Sequence, residues 1–224
     1  ALLVRTTLPL IVKELCWAGG LFAAGLIVSR MGKVPLAALN LVTPVEGILV
    51  SIFTGCGSAT GILLGHALGR KEFDLAYLTA ERLRQAIPRV GLAAGIAGAI
   101  LVELARQLGW LGGVIDPQLH DIALDSLAVM LLFIGARIHN MMVSMGILRS
   151  GNDVKWLMAV DLCSMWLVNV PLVAATALWL KAPLPAVVAV MMCEEVLKLG
   201  IFRSRVRSRR WLNSVVAPVA PVSA

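Results

Sequence analysis

Charged residues are scarce in this sequence. Only 15% of its 224 residues are Asp, Glu, Lys or Arg, whereas 59% are hydrophobic and the mean hydropathy is +0.88. With this composition a soluble domain would have too few polar residues to cover its surface, whereas a bilayer accepts apolar surface on every side. The composition therefore excludes the soluble enzyme classes and indicates a membrane protein.

Cysteine and histidine are also rare, with four and three residues respectively. Cys16, Cys56, Cys163 and Cys193 are widely separated, and none belongs to a CxxC motif or to a Cys/His set at metal-binding spacing. The sequence therefore gives no support for a disulfide framework or a metal site. Because each cysteine is flanked by apolar or small residues, we expect four buried free thiols.

Long apolar runs define six candidate spans, each of which extends past a bounding charge into further apolar sequence. They predict helices at about 6–30, 35–69, 74–107, 117–149, 154–180 and 184–204, long enough for the ~20 residues that a bilayer crossing requires. The predicted fold class is an all-α polytopic membrane protein. We expect a transmembrane lobe over residues 1–205 and a basic, then Pro/Val/Ala-rich cytoplasmic tail over residues 206–224.

The net charge of +7 is distributed unevenly between the two sides of the membrane. With six spans both ends lie on one side, which carries Arg5, Arg70, Lys71, Arg82, Arg84, Arg89, Arg149, Lys155, Arg203, Arg205, Arg207, Arg209 and Arg210; the other side carries Arg30, Lys33, Arg106 and Lys181. Because Lys and Arg concentrate in cytoplasmic loops, we expect both termini in the cytoplasm and a location in the plasma (inner) membrane. Membrane orientation thus accounts for the basic charge without a nucleic-acid partner.

Glycine recurs at every fourth position of the second predicted helix, and the spacing returns on the third. The residues are Gly57, Gly61, Gly65 and Gly69, followed by Gly91 and Gly95. A helix face with so little side chain allows the backbone of another helix to approach closely in lipid. The spacing does not match a phosphate-binding loop, so we interpret these glycines as packing positions.

Ionisable residues within the spans are informative, because each costs at least about 2–3 kcal/mol at mid-bilayer unless it is paired or reaches water. The set comprises Lys13, Glu14, Glu46, Arg137, His139, Asp161, Glu194, Glu195 and Lys198. Glu194 and Lys198 stand four residues apart and can pair on one helix face. Glu14 and Glu46 have no counter-charge at helical spacing, and we rank them first as cation or proton sites. For the remaining polar residues, polar contacts between helices are the preferred interpretation, and a role in binding is the alternative.

An intramembrane hydrolase is the enzymatic alternative. Glu194-Glu195 is similar to the start of the EExxxR motif of membrane-embedded CaaX-type proteases, but the arginine position holds Leu199 and no pair of catalytic histidines accompanies it. A GxSxG motif is also absent around Ser58. We therefore expect no enzymatic activity.

Several motifs, in order, resemble the C-terminal six-helix lobe of a multidrug and toxic compound extrusion (MATE) transporter. They are Leu8-Pro9; Gly32 followed by Leu36-Ala37-Ala38-Leu39-Asn40; the glycine face from Thr54 to Gly69-Arg70-Lys71; Gly146-Ile147-Leu148-Arg149-Ser150-Gly151-Asn152-Asp153; Asp161; and Glu194-Glu195-Val196-Leu197-Lys198 followed by Arg203. Together they extend from residue 8 to about residue 211. The stretch that ends in Asp153 is the most specific of them.

The resemblance implies an antiporter that exports cationic, amphipathic compounds in exchange for H⁺ or Na⁺, with two six-helix lobes around a central cleft. On this interpretation Glu14, Glu46, Asn140 and Asp161 face the cleft, and a supporting set consists of Glu194, Lys198 and Arg137. A buried carboxylate can hold either the coupling ion or a cationic substrate. We expect no cofactor other than the coupling ion.

The implied partners are membrane lipid, small cationic substrates and a second six-helix lobe. That lobe belongs to the same chain, to a separate partner chain or to a second copy. Two alternatives keep the fold but change the function, namely a non-transporting scaffold or assembly module and a lipid flippase-like protein. A flippase would require a larger basic cleft than Lys13, Arg137 and Lys198 provide.

Overall fold

The computed structural model describes residues 2–109 and 116–212, with side chains from residue 11 onward, and these residues form helices joined by short turns. The helices are α1 (Leu2–Ser29), α2 (Lys33–Gly69), α3 (Phe73–Gln107), α4 (Pro117–Leu148), α5 (Val154–Trp179) and α6 (Leu184–Arg207). Each begins and ends within four residues of the predicted bounds. The all-α prediction is confirmed.

Five of these helices are long and apolar enough to cross a membrane: α1 from Ile11 onward, and α2 to α5 over their full lengths. The remaining helix, α6, has 24 residues, which at 1.5 Å per residue is about 36 Å and exceeds the ~30 Å hydrocarbon core. Glu194, Glu195 and Lys198 lower its hydropathy. Because the charges at Glu194 and Lys198 are buried inside the bundle, α6 completes a six-helix transmembrane lobe.

Wide π-helical turns interrupt two of the helices. The last turns of α4 are π-helical over Val143–Leu148, and α5 contains Ser164–Asn169 and Ala175–Trp179 in the same conformation. A π turn holds one residue more than an α turn and is frequent at functional sites. In α5 the first of these turns begins three residues after Asp161, so it rotates the second half of the helix relative to that carboxylate.

Helix α4 lies at the centre of the lobe, packed against α2, α3 and α6. Helices α2 and α3 contact α4 through glycines. A Cβ on Gly95 of α3 would overlap the carbonyl oxygen of Leu131, and a Cβ on Gly61 of α2 would lie 3.5 Å from the carbonyl oxygen of Met145. The predicted close approach is therefore confirmed for α2 and α3. It does not extend to Gly65, where a Cβ would meet nothing within 4 Å.

The C-terminal end of the folded lobe is held by a buried tryptophan. Arg209 has a φ of 57°, which turns the chain back after α6. Trp211 is fully buried in an apolar cluster with Leu148, Leu157 and Phe202, and its indole N–H donates to the carbonyl of Val206 at 3.1 Å. The packed part of the lobe thus reaches Trp211, and residues 213–224 of the predicted tail lie outside the described residues.

The exposure of the four cysteines differs from the prediction. All four are free thiols, as predicted, but Cys56, Cys163 and Cys193 are exposed and Cys16 is half-buried. The prediction of four buried thiols was wrong because exposed positions on a membrane helix are as apolar as core positions. Side chains such as Ile48 and Leu167, more than 60% exposed, illustrate the same property of the outer surface.

Candidate functional site: a charged cleft within the helix bundle

Two adjoining cavities lie within the bundle. One has a volume of about 270 Å³ and its polar lining comprises Lys13, Glu14, Thr54, Arg137, Asn140, Ser144, Asp161, Glu195 and Lys198. The other has a volume of about 620 Å³ and its polar lining comprises Asn40, Thr43, Glu46, Arg137, Asn169, Glu194 and Glu195. Because both are lined by Trp17, Val50, Arg137 and Glu195, we describe them together as the cleft.

Asp161 connects three helices at one end of the cleft. Its carboxylate lies 3.3 Å from Lys13 Nζ of α1 and 3.5 Å from Lys198 Nζ of α6. Lys198 also forms an ion pair with Glu194, and Glu194 accepts a hydrogen bond of 3.0 Å from the hydroxyl of Ser164. Ser164 opens the first π turn of α5, so the backbone irregularity and the charge network meet at one point.

A second charged pair lies at the boundary of the two cavities. Arg137 Nη1 of α4 lies 3.0 Å from Glu46 Oε1 of α2, and Glu46 is only 4% exposed. That oxygen has no partner of hydrogen-bond geometry among the described residues, although the guanidinium supplies charge. The pair therefore leaves one lone-pair direction of a buried carboxylate open.

Asn140 holds Glu195 in the wall between the cavities. Its side-chain N–H₂ donates to Glu195 Oε2 at 2.8 Å and to the Glu195 carbonyl at 2.7 Å, while His139 Nδ1 lies 3.1 Å from Asn140 Oδ1. No ion pair within the described residues includes Glu195. Glu195 is therefore fixed by an amide, with a cavity on either side, and it lies in electrostatic range of Lys198.

The cleft has more acidic than basic groups. Its acids are Glu14, Glu46, Asp161, Glu194 and Glu195, and the bases that accompany them are Lys13, Arg137, Lys198 and Arg149, the last of which lies 3.8 Å from Glu14. One negative charge is left over if all nine are ionised. Because each lysine and arginine of the cleft lies beside a carboxylate, the excess charge is suited to a cation.

The residues predicted as site residues lie together. Glu46, Asn140, Asp161, Glu194, Lys198 and Arg137 all line the cleft, and all are buried or half-buried. Glu14 lines the smaller cavity at its edge, where its side chain is 54% exposed and lies 3.4 Å from Lys13. Their roles in ion or substrate binding stay predictions.

Two further cleft residues, Glu195 and Lys13, were not among the predicted site residues. Glu195 is adjacent to Glu194 in sequence but faces Asn140, 55 positions away. Lys13 pairs with Asp161 of α5. Their position in an apolar span was the available signal, because a charge there requires a partner or access to water. Among residues 11–109 and 116–212, no three His, Cys, Asp or Glu side chains are grouped closely enough to hold a metal ion.

Sequence and structure comparisons agree with this architecture. A family model described as MatE matches residues 9–174. Two proteins described as probable multidrug resistance protein NorM, from Xanthomonas axonopodis pv. citri and Xanthomonas campestris pv. campestris, are 28% and 26% identical over 174 residues. Those residues are 76% of this chain and 36% of each relative.

Solved structures share the fold. A MATE protein crystallised in complex with MaD3S superposes with a TM-score of 0.80 at 18% identity, over 97% of this chain and 48% of its own. A MOP superfamily transporter from Pyrococcus furiosus gives 0.79 at 18% identity, over 96% and 48%. At this identity the likeness shows the fold alone. The chain thus spans about half the length of these transporters and about a third of the length of its curated relatives.

Proposed function

Because this chain belongs to the MatE family, we propose that it forms one half of a secondary active transporter that exports cationic, amphipathic compounds in exchange for H⁺ or Na⁺. The observation that carries the proposal is the excess of carboxylates in the cleft, above all Glu195, which lines both cavities, accepts a hydrogen bond from Asn140 and belongs to no ion pair among the described residues. Buried acids of this kind mark ion and substrate pathways in membrane proteins.

Exchange follows from competition for the same negative charge. A cationic substrate and a coupling cation both gain from the excess carboxylate, and two cations cannot share it without repulsion in a medium of low dielectric constant. Binding of one therefore favours release of the other. Glu46 and Glu195 are the carboxylates we assign to this step, because both line the larger cavity, whose volume of about 620 Å³ suits a drug-sized molecule.

In this proposal a second lobe closes the cleft. Transporter lobes place their binding sites at the interface between repeats, and this chain covers 48% of the solved transporters that share its fold. The second lobe is supplied by the same polypeptide, by a partner chain or by a second copy. We further propose the plasma (inner) membrane as its location, with both ends of the lobe in the cytoplasm. Apart from Lys13, Arg137 and Lys198, thirteen of the seventeen Lys and Arg residues fall on that side of a six-span topology.

A lipid flippase-like function is less well supported by the same geometry. Such a protein requires basic groups that are free to take an anionic headgroup. Lys13 and Lys198 both lie beside Asp161, and Arg137 lies beside Glu46. The basic side chains of the cleft are therefore already compensated.

Efflux measurements test the proposal. In cells that carry the complete protein, Glu46→Gln and Glu195→Gln, each tested alone, should slow ethidium efflux at least tenfold, because each removes charge from the cleft without changing side-chain size. Glu103→Gln, an exposed position on α3 outside the cleft, serves as the matched control and should leave efflux unchanged. Wild-type efflux rates in both cleft variants, at equal membrane expression, would contradict the proposal and favour a scaffold role.

A further inference from the structure

The two sides of α6 carry different chemistry. Glu194, Glu195 and Lys198 face the cleft. With 3.6 residues per turn, a second set of residues falls on the opposite side of the same helix. This set, which we call the arginine stripe, consists of Val196, Gly200, Arg203 and Arg207.

The arginine stripe is open along its length. Val196 is 46% exposed, and Arg203 and Arg207 are both exposed. A Cβ placed on Gly200 would meet nothing within 4 Å. The helix surface at Val196 and Gly200 is therefore a shallow apolar strip that leads to the two arginines. It lies on the side of α6 away from the cleft, and thus away from any second lobe that closes the cleft.

Arg203 and Arg207 differ from Arg205 and Arg209 because they form no ion pair with a carboxylate among the described residues. Arg205 donates two hydrogen bonds to Asp153, at 2.6 and 2.9 Å, and Arg209 lies 3.1 Å from Asp74. Within the described residues, no ion pair includes Arg203 or Arg207.

A carboxylate in electrostatic range of Arg207 is already compensated. This carboxylate is that of Glu81 on α3, on which the charge of Arg207 acts. It accepts hydrogen bonds from both Nε and Nη2 of Arg84, the first at 2.9 Å. Arg84 and Glu81 therefore cancel, and the stripe retains two positive charges.

The depth of these arginines indicates what compensates them. The midpoint of α6 lies between residues 195 and 196. With the helix centred in the bilayer, Arg203 is about 11 Å and Arg207 about 17 Å from the midplane at 1.5 Å per residue. The hydrocarbon core ends about 15 Å from its own midplane. An exposed guanidinium at such a depth reaches toward the phosphate layer, and phosphate oxygens match its planar array of N–H donors.

We propose that the arginine stripe binds an anionic phospholipid of the adjacent leaflet. Arg203 and Arg207 hold the phosphate, and one acyl chain packs along Gly200 and Val196. Under the topology proposed above this is the cytoplasmic leaflet, whose anionic lipids attract juxtamembrane basic residues. The site lies outside the cleft and does not depend on which compound is transported.

Lipid-dependent stability tests the inference. The complete protein, purified in an uncharged detergent, is melted with added phosphatidylglycerol or phosphatidylcholine, and bound lipids are counted by native mass spectrometry. We expect phosphatidylglycerol to raise the melting midpoint of the wild type by several degrees more than phosphatidylcholine does. Arg203→Gln/Arg207→Gln should lose most of this difference and one bound phosphatidylglycerol, whereas Arg203→Lys/Arg207→Lys should keep part of both.

The matched control is Arg70→Gln/Lys155→Gln, which removes the same charge from the same side of the membrane at two exposed positions and should retain the full preference. An unchanged preference in Arg203→Gln/Arg207→Gln would overturn the inference, as would an equal loss in the control. An equal rise with soluble glycerol phosphate would overturn the lipid assignment in favour of a soluble anion. If the double glutamine variant does not fold, Arg207→Gln alone is measured, and retention of the full preference would again refute the site.

Discussion

Glu46 and Arg137 depend on each other because Glu46 is almost completely buried. Removal of the guanidinium would leave a buried carboxylate without its counter-charge, which costs about 3 kcal/mol. We predict that Arg137→Gln lowers the melting midpoint of the detergent-solubilised protein by several degrees and that Glu46→Gln/Arg137→Gln recovers most of the loss.

The comparison for this double-mutant cycle is Arg106, which pairs with Asp125 at positions where the two side chains are 33% and 50% exposed. Exposed pairs contribute at most about 1 kcal/mol, so Arg106→Gln should change the melting midpoint little. Equal destabilisation by Arg106→Gln and Arg137→Gln, or no recovery in the double variant, would show that the Glu46–Arg137 pair is not a buried interaction.

Trp211 offers a second test at the level of a side chain. It is fully buried although it follows the last helix, and truncation of a buried tryptophan costs about 3–5 kcal/mol. Trp211→Ala should therefore lower the melting midpoint strongly. Trp179→Ala, at a position that is 83% exposed, should lower it far less, and equal effects would contradict the packing described for the C-terminal end.

The α3–α4 crossing is where a single added methyl group has a large effect. A Cβ on Gly95 would overlap the backbone carbonyl of Leu131, whereas a Cβ on Gly65 of α2 would meet open space. We predict that Gly95→Ala destabilises the protein by about 1–3 kcal/mol, as expected for overpacking, and that Gly65→Ala has a neutral or slightly stabilising effect. Thermal melting of both variants at equal lipid content checks the difference in sign.

The helices were predictable to within a few residues because a bilayer crossing requires a long apolar run, and the turns between them carry Gly, Pro and charged residues. The π turns were not predictable. Pro171, just after Ser164–Asn169, indicates an irregular helix because it lacks an N–H, but it does not indicate that a π turn forms. In the structure, Asn169 at the end of this turn donates to the carbonyl of Met191 at 3.0 Å, a contact between helices that no local pattern indicates.

The site was predictable in its members but not in its pairing. An isolated charge in an apolar span indicates a buried partner, which identified Glu46, Asp161 and Arg137. Which residue pairs with which depends on how six helices are arranged, and the Asn140–Glu195 contact joins positions 55 residues apart. Sequence spacing yields only the pairs within one helix, such as Glu194 with Lys198.

The orientation of the whole lobe can be tested with cysteines in turns on opposite sides. In a variant whose four native cysteines are replaced by serine, Glu72→Cys lies between α2 and α3, and Leu180→Cys lies just after α5, 74% exposed. With cytoplasmic ends, a membrane-impermeant maleimide added to intact cells should label Leu180→Cys and leave Glu72→Cys unlabelled until the cells are opened. The reverse pattern would invert the topology.

The lengths of α2 and α3 have a practical consequence for the molecule. At 37 and 35 residues, they measure about 55 and 52 Å along their axes, well beyond the ~30 Å hydrocarbon core even when tilted. Their shared turn at Arg70–Glu72 is charged and exposed, while Ala67 and Ala76 beside it pack with Trp211, so this end of the lobe extends into the aqueous phase as a packed unit with the turn at its surface. A rigid tag inserted there would stand clear of the detergent micelle and give a small membrane protein a visible landmark for image alignment in cryo-electron microscopy.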